Sequence, residues 1–154
     1  MSWTAVTPHR ARLGEGPFWD VPGQALYWVD IIGRQALRLQ GGQLHAWQLP
    51  EPVSAFIPCA SGDALVTLSS GVYRLDLDSP QSDPRLTLLC VADPPPGNRA
   101  NEARCDARGR LWLGTMQNNI RAQGEDLPVL RRSGGPFRVD ADGHVAPLLH
   151  GRGL

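Results

Sequence analysis

Residues 20–31 read DVPGQALYWVDI: a polar turn around Gly23, then an apolar run led by Leu26. The design returns as CASGDALVTLSS from Cys59 and as CDARGRLWLGTM from Cys105, with Gly62 and Gly109 in the turns and Leu65 and Leu111 leading the runs. The leucines lie about 40 to 46 residues apart, the period of a four-stranded propeller blade. The segments after these runs fit that period. RQALRLQGGQLHAWQL, SGVYRLDLDSPQSDPRLTLL and GGPFRVDADGHVAPLL each read strand, turn, strand. Gly41-Gly42 and Asp142-Gly143 are strong hairpin turns, because both pairs tolerate the positive φ that a two-residue turn demands. No stretch of a dozen residues has helical periodicity, so the expected class is all-β, with radially repeated sheets.

Composition agrees. The 154 residues include 17 Gly and 14 Pro, which favours many turns between short strands. Fifteen basic residues balance fifteen acidic ones, so charge gives no reason to expect nucleic acid or an anionic membrane as partner. No apolar run approaches the length of a membrane-spanning helix, and MSWTAVTPHRAR lacks the apolar centre of a signal peptide, so the cytoplasm is the expected location. Cys59, Cys90 and Cys105 match no metal-binding spacing and read as buried free thiols. Trp19, Trp28 and Trp112 are expected to pack between blades, and Asp20 and Asp30 to serve turns and strand ends. The four histidines show no metalloprotease spacing, and neither a Gly-x-Ser-x-Gly elbow nor a phosphate-cradling loop occurs.

Three blades cannot close a ring, since propellers carry about four to eight. The expectation is therefore an incomplete propeller. Either a longer chain or a partner, a second copy included, would complete it.

LGEGPFWD, LYWVDI, NRANEARCDARGRLWLGTM and the terminal GRGL resemble the gluconolactonase/regucalcin (senescence marker protein) family. That resemblance implies a six-bladed β-propeller of about twice this length, of which residues 1–154 are the N-terminal half, with a divalent metal on the axis and hydrolysis of sugar lactones such as gluconolactone. It implies that Glu15, in the Gly-Glu-Gly-Pro motif, is a metal ligand. It further implies that Arg99 and Asn101 contact substrate, and that Asn119 lines the same pocket at a position where some relatives carry Glu. Two more ligands, an Asn and an Asp, belong to the family's second half, and that Asp is the usual general base. No catalytic residue is therefore expected within this chain, which is expected to be weakly active or inactive alone. Some members are described chiefly as calcium-binding proteins, so a non-catalytic calcium- or sugar-binding propeller is the alternative. The chain departs from the family in reading Asn101-Glu102-Ala103 where relatives have Asn-Asp-Gly, which weakens any role for Glu102.

The residue types suit that chemistry. Carboxylate and amide oxygens favour Ca²⁺, Mg²⁺ or Mn²⁺, with Zn²⁺ or Fe²⁺ possible in a mixed site. Arg offers a fixed fork of donors, and Asn both donates and accepts, as a polyhydroxylated ligand requires. Taken alone, Glu15 reads as a solvated turn residue and DPPPGNRAN as a surface connection; the motifs around them favour a site.

Overall fold

The computed structural model describes residues 2–94, 97–121 and 124–148. Pro95 and Pro96 of the Pro-rich loop, His150 and the GRGL motif lie outside the described residues. Twelve strands and no helix occur among those described. They form three four-stranded antiparallel sheets, each consecutive in sequence. The first holds β1 (Gly14–Asp20), β2 (Ala25–Asp30), β3 (Gln35–Gln40) and β4 (Gln43–Gln48). The second holds β5 (Val53–Pro58), β6 (Ala64–Leu68), β7 (Gly71–Leu75) and β8 (Leu86–Cys90). The third holds β9 (Asn98–Cys105), β10 (Leu111–Gln117), β11 (Pro136–Val139) and β12 (Val145–Pro147). These are the three blades expected from the repeat.

The Gly62 and Gly109 turns of the repeat share one geometry, which the Asp142-Gly143 hairpin turn also adopts. The Cys59 N–H donates to the Asp63 carbonyl and the Gly62 N–H to the Cys59 carbonyl; Asp106/Arg110/Gly109 and Asp140/His144/Gly143 repeat the pattern at 2.9–3.0 Å. Gly62, Gly109 and Gly143 hold φ of 92°, 74° and 84°, which a side chain would strain. Gly41 and Gly42 close the β3–β4 hairpin, both at positive φ.

Neighbouring blades are joined by two apolar clusters. Between blades 1 and 2, Tyr27, Val29 and Trp47 pack on Phe56, Val66 and Leu75. There the Phe56 ring meets Tyr27 and Trp47 edge-on, at centroid distances of 5.1 and 5.8 Å. Between blades 2 and 3, Ala55 and Val72 meet Ala103, Leu111, Leu113 and Val139. Full burial of each large aliphatic side chain contributes about 1.5–3 kcal/mol, so these two seams hold the blades in place.

Two sequence expectations are corrected. Trp19 and Trp112 are not packed between blades: they are 50% and 39% exposed, and Trp28 is half-buried. The register explains this. Trp19 pairs with Leu26, one residue off the Tyr27 face that meets blade 2, and Trp112 pairs with Arg104 and Arg138, opposite the Leu111/Leu113 face. Trp112 instead donates its indole N–H to Asp106 at 2.9 Å, below the guanidinium of Arg110. The three cysteines are free, but they are not buried: Cys105 is exposed and Cys59 and Cys90 are half-buried. Asp30 serves a strand end, as expected. It closes β2 by accepting the Gly33 N–H at 2.9 Å, and it also anchors the chain entering β1 through the N–H groups of Arg12 and Leu13 at 2.9 and 3.0 Å.

Each blade's first strand carries an irregularity. In β1 the register shifts between Glu15 and Phe18, across Gly16-Pro17, with Gly16 at φ 60°. In β5 it shifts between Val53 and Ala55, leaving Ser54 unpaired. In β9, Gly114 pairs with Glu102 and Thr115 with Ala100, so Asn101 is the extra residue. A bulge bends a strand and re-aims the side chain it carries. All three lie within the first strands, which approach one another: β5 contacts both β1 and β9.

Candidate functional site

The bulge in β9 sets the first part of the site. Arg99 and Asn101 would both be expected on one face of a regular strand, two residues apart. The bulge at Asn101 alters that alternation, so Arg99 turns inward while Asn101 and Glu102 are both exposed. Arg99 is only 5% exposed. Its Nη1 donates to the Asn101 side-chain oxygen and to the Ala100 carbonyl, both at 3.0 Å. Its Nε and Nη2 donate together to Asn119 Oδ1 at 3.0 and 2.9 Å. The three polar residues that the motifs single out are thus brought together as one cluster. Burial lowers the guanidinium's pKa, while the nearby negative charge of Asp126 raises it again.

Asn119 reaches Arg99 from the segment after β10, and that segment is tied down at both ends. Ile120, 9% exposed, packs in the seam between blades 1 and 2 and forms an isolated bridge with Asp126. The Leu127 N–H donates to the Asn119 carbonyl at 2.7 Å. The Asn119 side-chain NH₂ donates to Asp126 Oδ1 at 2.7 Å. Asp126 does not stand out in the sequence. It lies in an insertion without strand alternation, and only its distance from Asn119 along a turn could have pointed to it.

A second network holds the entry to β9. Asn98 donates to Asp93 at 2.8 Å and to the Ser133 carbonyl at 2.7 Å, and Thr115 donates to the same Asp93 carboxylate at 2.7 Å. Gly134 has its backbone against Thr115 so closely that a Cβ there would overlap the Thr115 carbonyl. The strand bearing Arg99 is therefore pinned on both sides.

Glu15 stands apart from this cluster. It lies on β1 beside the Gly16-Pro17 bulge, exposed, and no hydrogen bond or ion pair engages its carboxylate among the described residues. A hard divalent cation takes about six to eight oxygen ligands when it is Ca²⁺ and about six when it is Mg²⁺. Glu15 fits as one such ligand. Asn101 Oδ1 already accepts from Arg99, and among the described residues no three His, Cys, Asp or Glu side chains gather around one point. The described residues therefore supply no complete ligand set for such a cation. Glu102 belongs to neither group: it is exposed and its carboxylate pairs loosely with Arg104 at 3.4 Å. Ala103, which stands where the family pattern has Gly, is buried in the seam between blades 2 and 3 and is not among the positive-φ residues.

Apart from the cluster, a cavity of about 270 Å³ lies along the three first strands, between Gly16 and Phe18 of β1, Ser54–Pro58 of β5 and Glu102–Cys105 of β9. No helix among the described residues is long and apolar enough to cross a membrane.

Comparison with known proteins agrees with this architecture. The family profile described as "SMP-30/Gluconolactonase/LRE-like region" matches residues 13–153. The chain is 37% identical over 144 residues to a 6-deoxy-6-sulfogluconolactonase of Pseudomonas putida, covering 90% of this chain and 44% of that protein. It is 33% identical over 142 residues to an L-arabinolactonase of Azospirillum brasilense, again covering 90% and 44%. A crystal structure of regucalcin from Agrobacterium tumefaciens, described as a calcium-binding protein, superimposes with a TM-score of 0.76 at 27% identity, covering 93% of this chain and 45% of that one. The chain spans less than half the length of each of these relatives.

Proposed function

The chain belongs to the SMP-30/gluconolactonase/LRE-like family, and from that membership we propose that it supplies one half of the site of a sugar-lactone hydrolase. The observation that carries this reading is the Arg99–Asn101–Asn119 cluster, in which side-chain amide oxygens from two segments accept from one buried guanidinium. Arg99 has five N–H donors and makes four hydrogen bonds among the described residues, which leaves one Nη2 donor uncommitted to them. Among the described residues the Asn101 amide NH₂ has no partner either, since only its oxygen is engaged. Together these donors suit the hydroxyls and ring oxygen of an aldonolactone, held in one orientation by a guanidinium that cannot rotate.

In this reading Glu15 is one oxygen ligand of a divalent cation, Ca²⁺, Mn²⁺, Mg²⁺, Zn²⁺ or Fe²⁺, whose remaining ligands and general base come from outside this chain. Such a cation polarises a lactone carbonyl toward attack by water. The share of the reaction carried by residues 1–154 is then binding and orientation. The alternative is a calcium- or sugar-binding propeller without turnover, which the calcium-binding description of the regucalcin relative favours.

Calorimetric titration with gluconolactone, and a pH-stat assay of its ring opening with added Mn²⁺ or Ca²⁺, test the proposal on the 154-residue chain. The expected result is lactone binding with little acceleration over spontaneous hydrolysis. Absence of binding would remove the lactone reading. Turnover comparable to a complete lactonase would show that the other half of the site is not needed.

A further inference from the structure

Arg99 poses an electrostatic problem that its immediate partners do not solve. It is a permanently charged group with 5% exposure, and all its hydrogen-bond partners are neutral: two side-chain amide oxygens and a backbone carbonyl. A buried charge is costly unless an opposite charge lies within reach. We propose that Asp126 is a positioning residue for Arg99, acting through Asn119 as a carboxylate–amide–guanidinium relay that fixes the donors meant for the sugar lactone.

The two ends of the Asn119 amide make the connection. Its Oδ1 accepts two N–H groups of Arg99, and its NH₂ donates to Asp126 Oδ1 at 2.7 Å. A primary amide can flip, exchanging its oxygen and nitrogen. Flipped, Asn119 would set its NH₂ against the Nε–H and Nη2–H of Arg99, donor against donor, and its oxygen against the Asp126 carboxylate. Both clashes vanish in one orientation only, and Asp126 enforces it from the solvent side. Asp126 is exposed, yet its backbone is fixed by the bridge to Ile120, which is seated between blades 1 and 2. The carboxylate thus sits one residue further out than a Glu at position 119 would place it. The inner layer of this site is a cation held by neutral amides, with the balancing charge displaced to the rim.

The relay rests on reading this cluster as the lactone site, so its test has one arm that needs no lactone. Solvent exchange of the Arg99 Nε–H is followed by ¹⁵N-resolved NMR, the signal being assigned by its loss in Arg99→Lys. Asp126→Ala is expected to speed this exchange at least tenfold, and Asp126→Asn, which keeps the shape and removes the charge, by about threefold. Adding Asn119→Glu to Asp126→Ala puts a carboxylate directly against Arg99 and should return the exchange to near its original rate. Exchange in Asp126→Ala within twofold of the unaltered chain, or no recovery in the double variant, overturns the relay. In the second arm, gluconolactone affinity should fall about tenfold in Asp126→Ala and recover in the double variant; unchanged affinity there would also overturn the proposal. A chain that binds no lactone at all defeats the functional reading, and the exchange measurement then decides the relay by itself.

Discussion

Glu15 and Arg99 occupy comparable places, each on the first strand of a blade and next to a bulge, yet their surroundings differ completely. Arg99 is buried and makes four hydrogen bonds; Glu15 is exposed and its side chain makes none among the described residues. The contrast separates two ways of building a site. In the proposed site, a guanidinium that presents one donor in one direction is held by partners within this chain, so it is organised before any ligand arrives. A carboxylate that shares a cation needs no internal partner, since any such bond would compete with the ion. Glu15 is aimed by its backbone alone: by Gly16 at φ 60°, by Pro17, and by the Asp30 anchor on residues 12 and 13.

The comparison is broken most severely at Arg99. Arg99→Ala removes a buried side chain that ties together the Asn101 and Asn119 amide oxygens and the Ala100 carbonyl, and unfolding free energy should fall by about 2–4 kcal/mol. Denaturant unfolding reads this directly, and lactone binding should vanish with it. A loss below about 0.5 kcal/mol would mean that the cluster is no more organised than Glu15.

Asp30 tests the other side. The residue is 2% exposed. Desolvation pushes its carboxyl pKa up, but the N–H groups of Leu13, Arg12 and Gly33, with His9 nearby, outweigh that and hold it below the ordinary value. A lowered folded-state pKa adds stability above the unfolded value of about 3.9, and this contribution disappears as pH falls through the folded value. Asp30→Asn should therefore cost about 2–3 kcal/mol at neutral pH, because its NH₂ meets N–H donors. The gap to the unaltered chain should narrow as pH drops below about 4, in stability curves measured across that range. A gap that is constant with pH would show that Asp30 is not the anchor.

How much of this contrast was legible beforehand depended on whether local chemistry or long-range packing decides each feature. The blades were legible because a polar turn holding Gly23, Gly62 or Gly109 precedes each Leu-led apolar run, and Gly62 and Gly109 do stand at positive φ. The face of Trp19 and Trp112 was not, because a one-residue offset in register decides whether a tryptophan meets the next blade or the outside. At Glu15 the bulge shows in the sequence as Gly-Pro inside a strand. At Asn101 it does not, since neither glycine nor proline marks it; only the pairing with β10 reveals the extra residue. Asp126 was hidden for a further reason. Its role depends on a loop whose position is set by Ile120 packing between blades 1 and 2, a contact that no local pattern around Asp126 announces.

Glu15→Gln gives the smallest expected effect on folding and the sharpest test of the contrast. The substitution keeps size and shape and removes a charge that no described residue pairs with, so unfolding free energy should stay within about 0.5 kcal/mol of the unaltered chain. Affinity for added Mn²⁺ or Ca²⁺, measured by calorimetry, should instead drop to background, because a neutral amide oxygen is a poor replacement for the one carboxylate proposed as a ligand. A destabilisation above about 1 kcal/mol would reveal an internal partner and make Glu15 a structural residue like Asp30. Unaltered metal affinity would leave Glu15 a solvated strand residue, and the preorganised half at Arg99 would then be the whole of what this chain brings to the site.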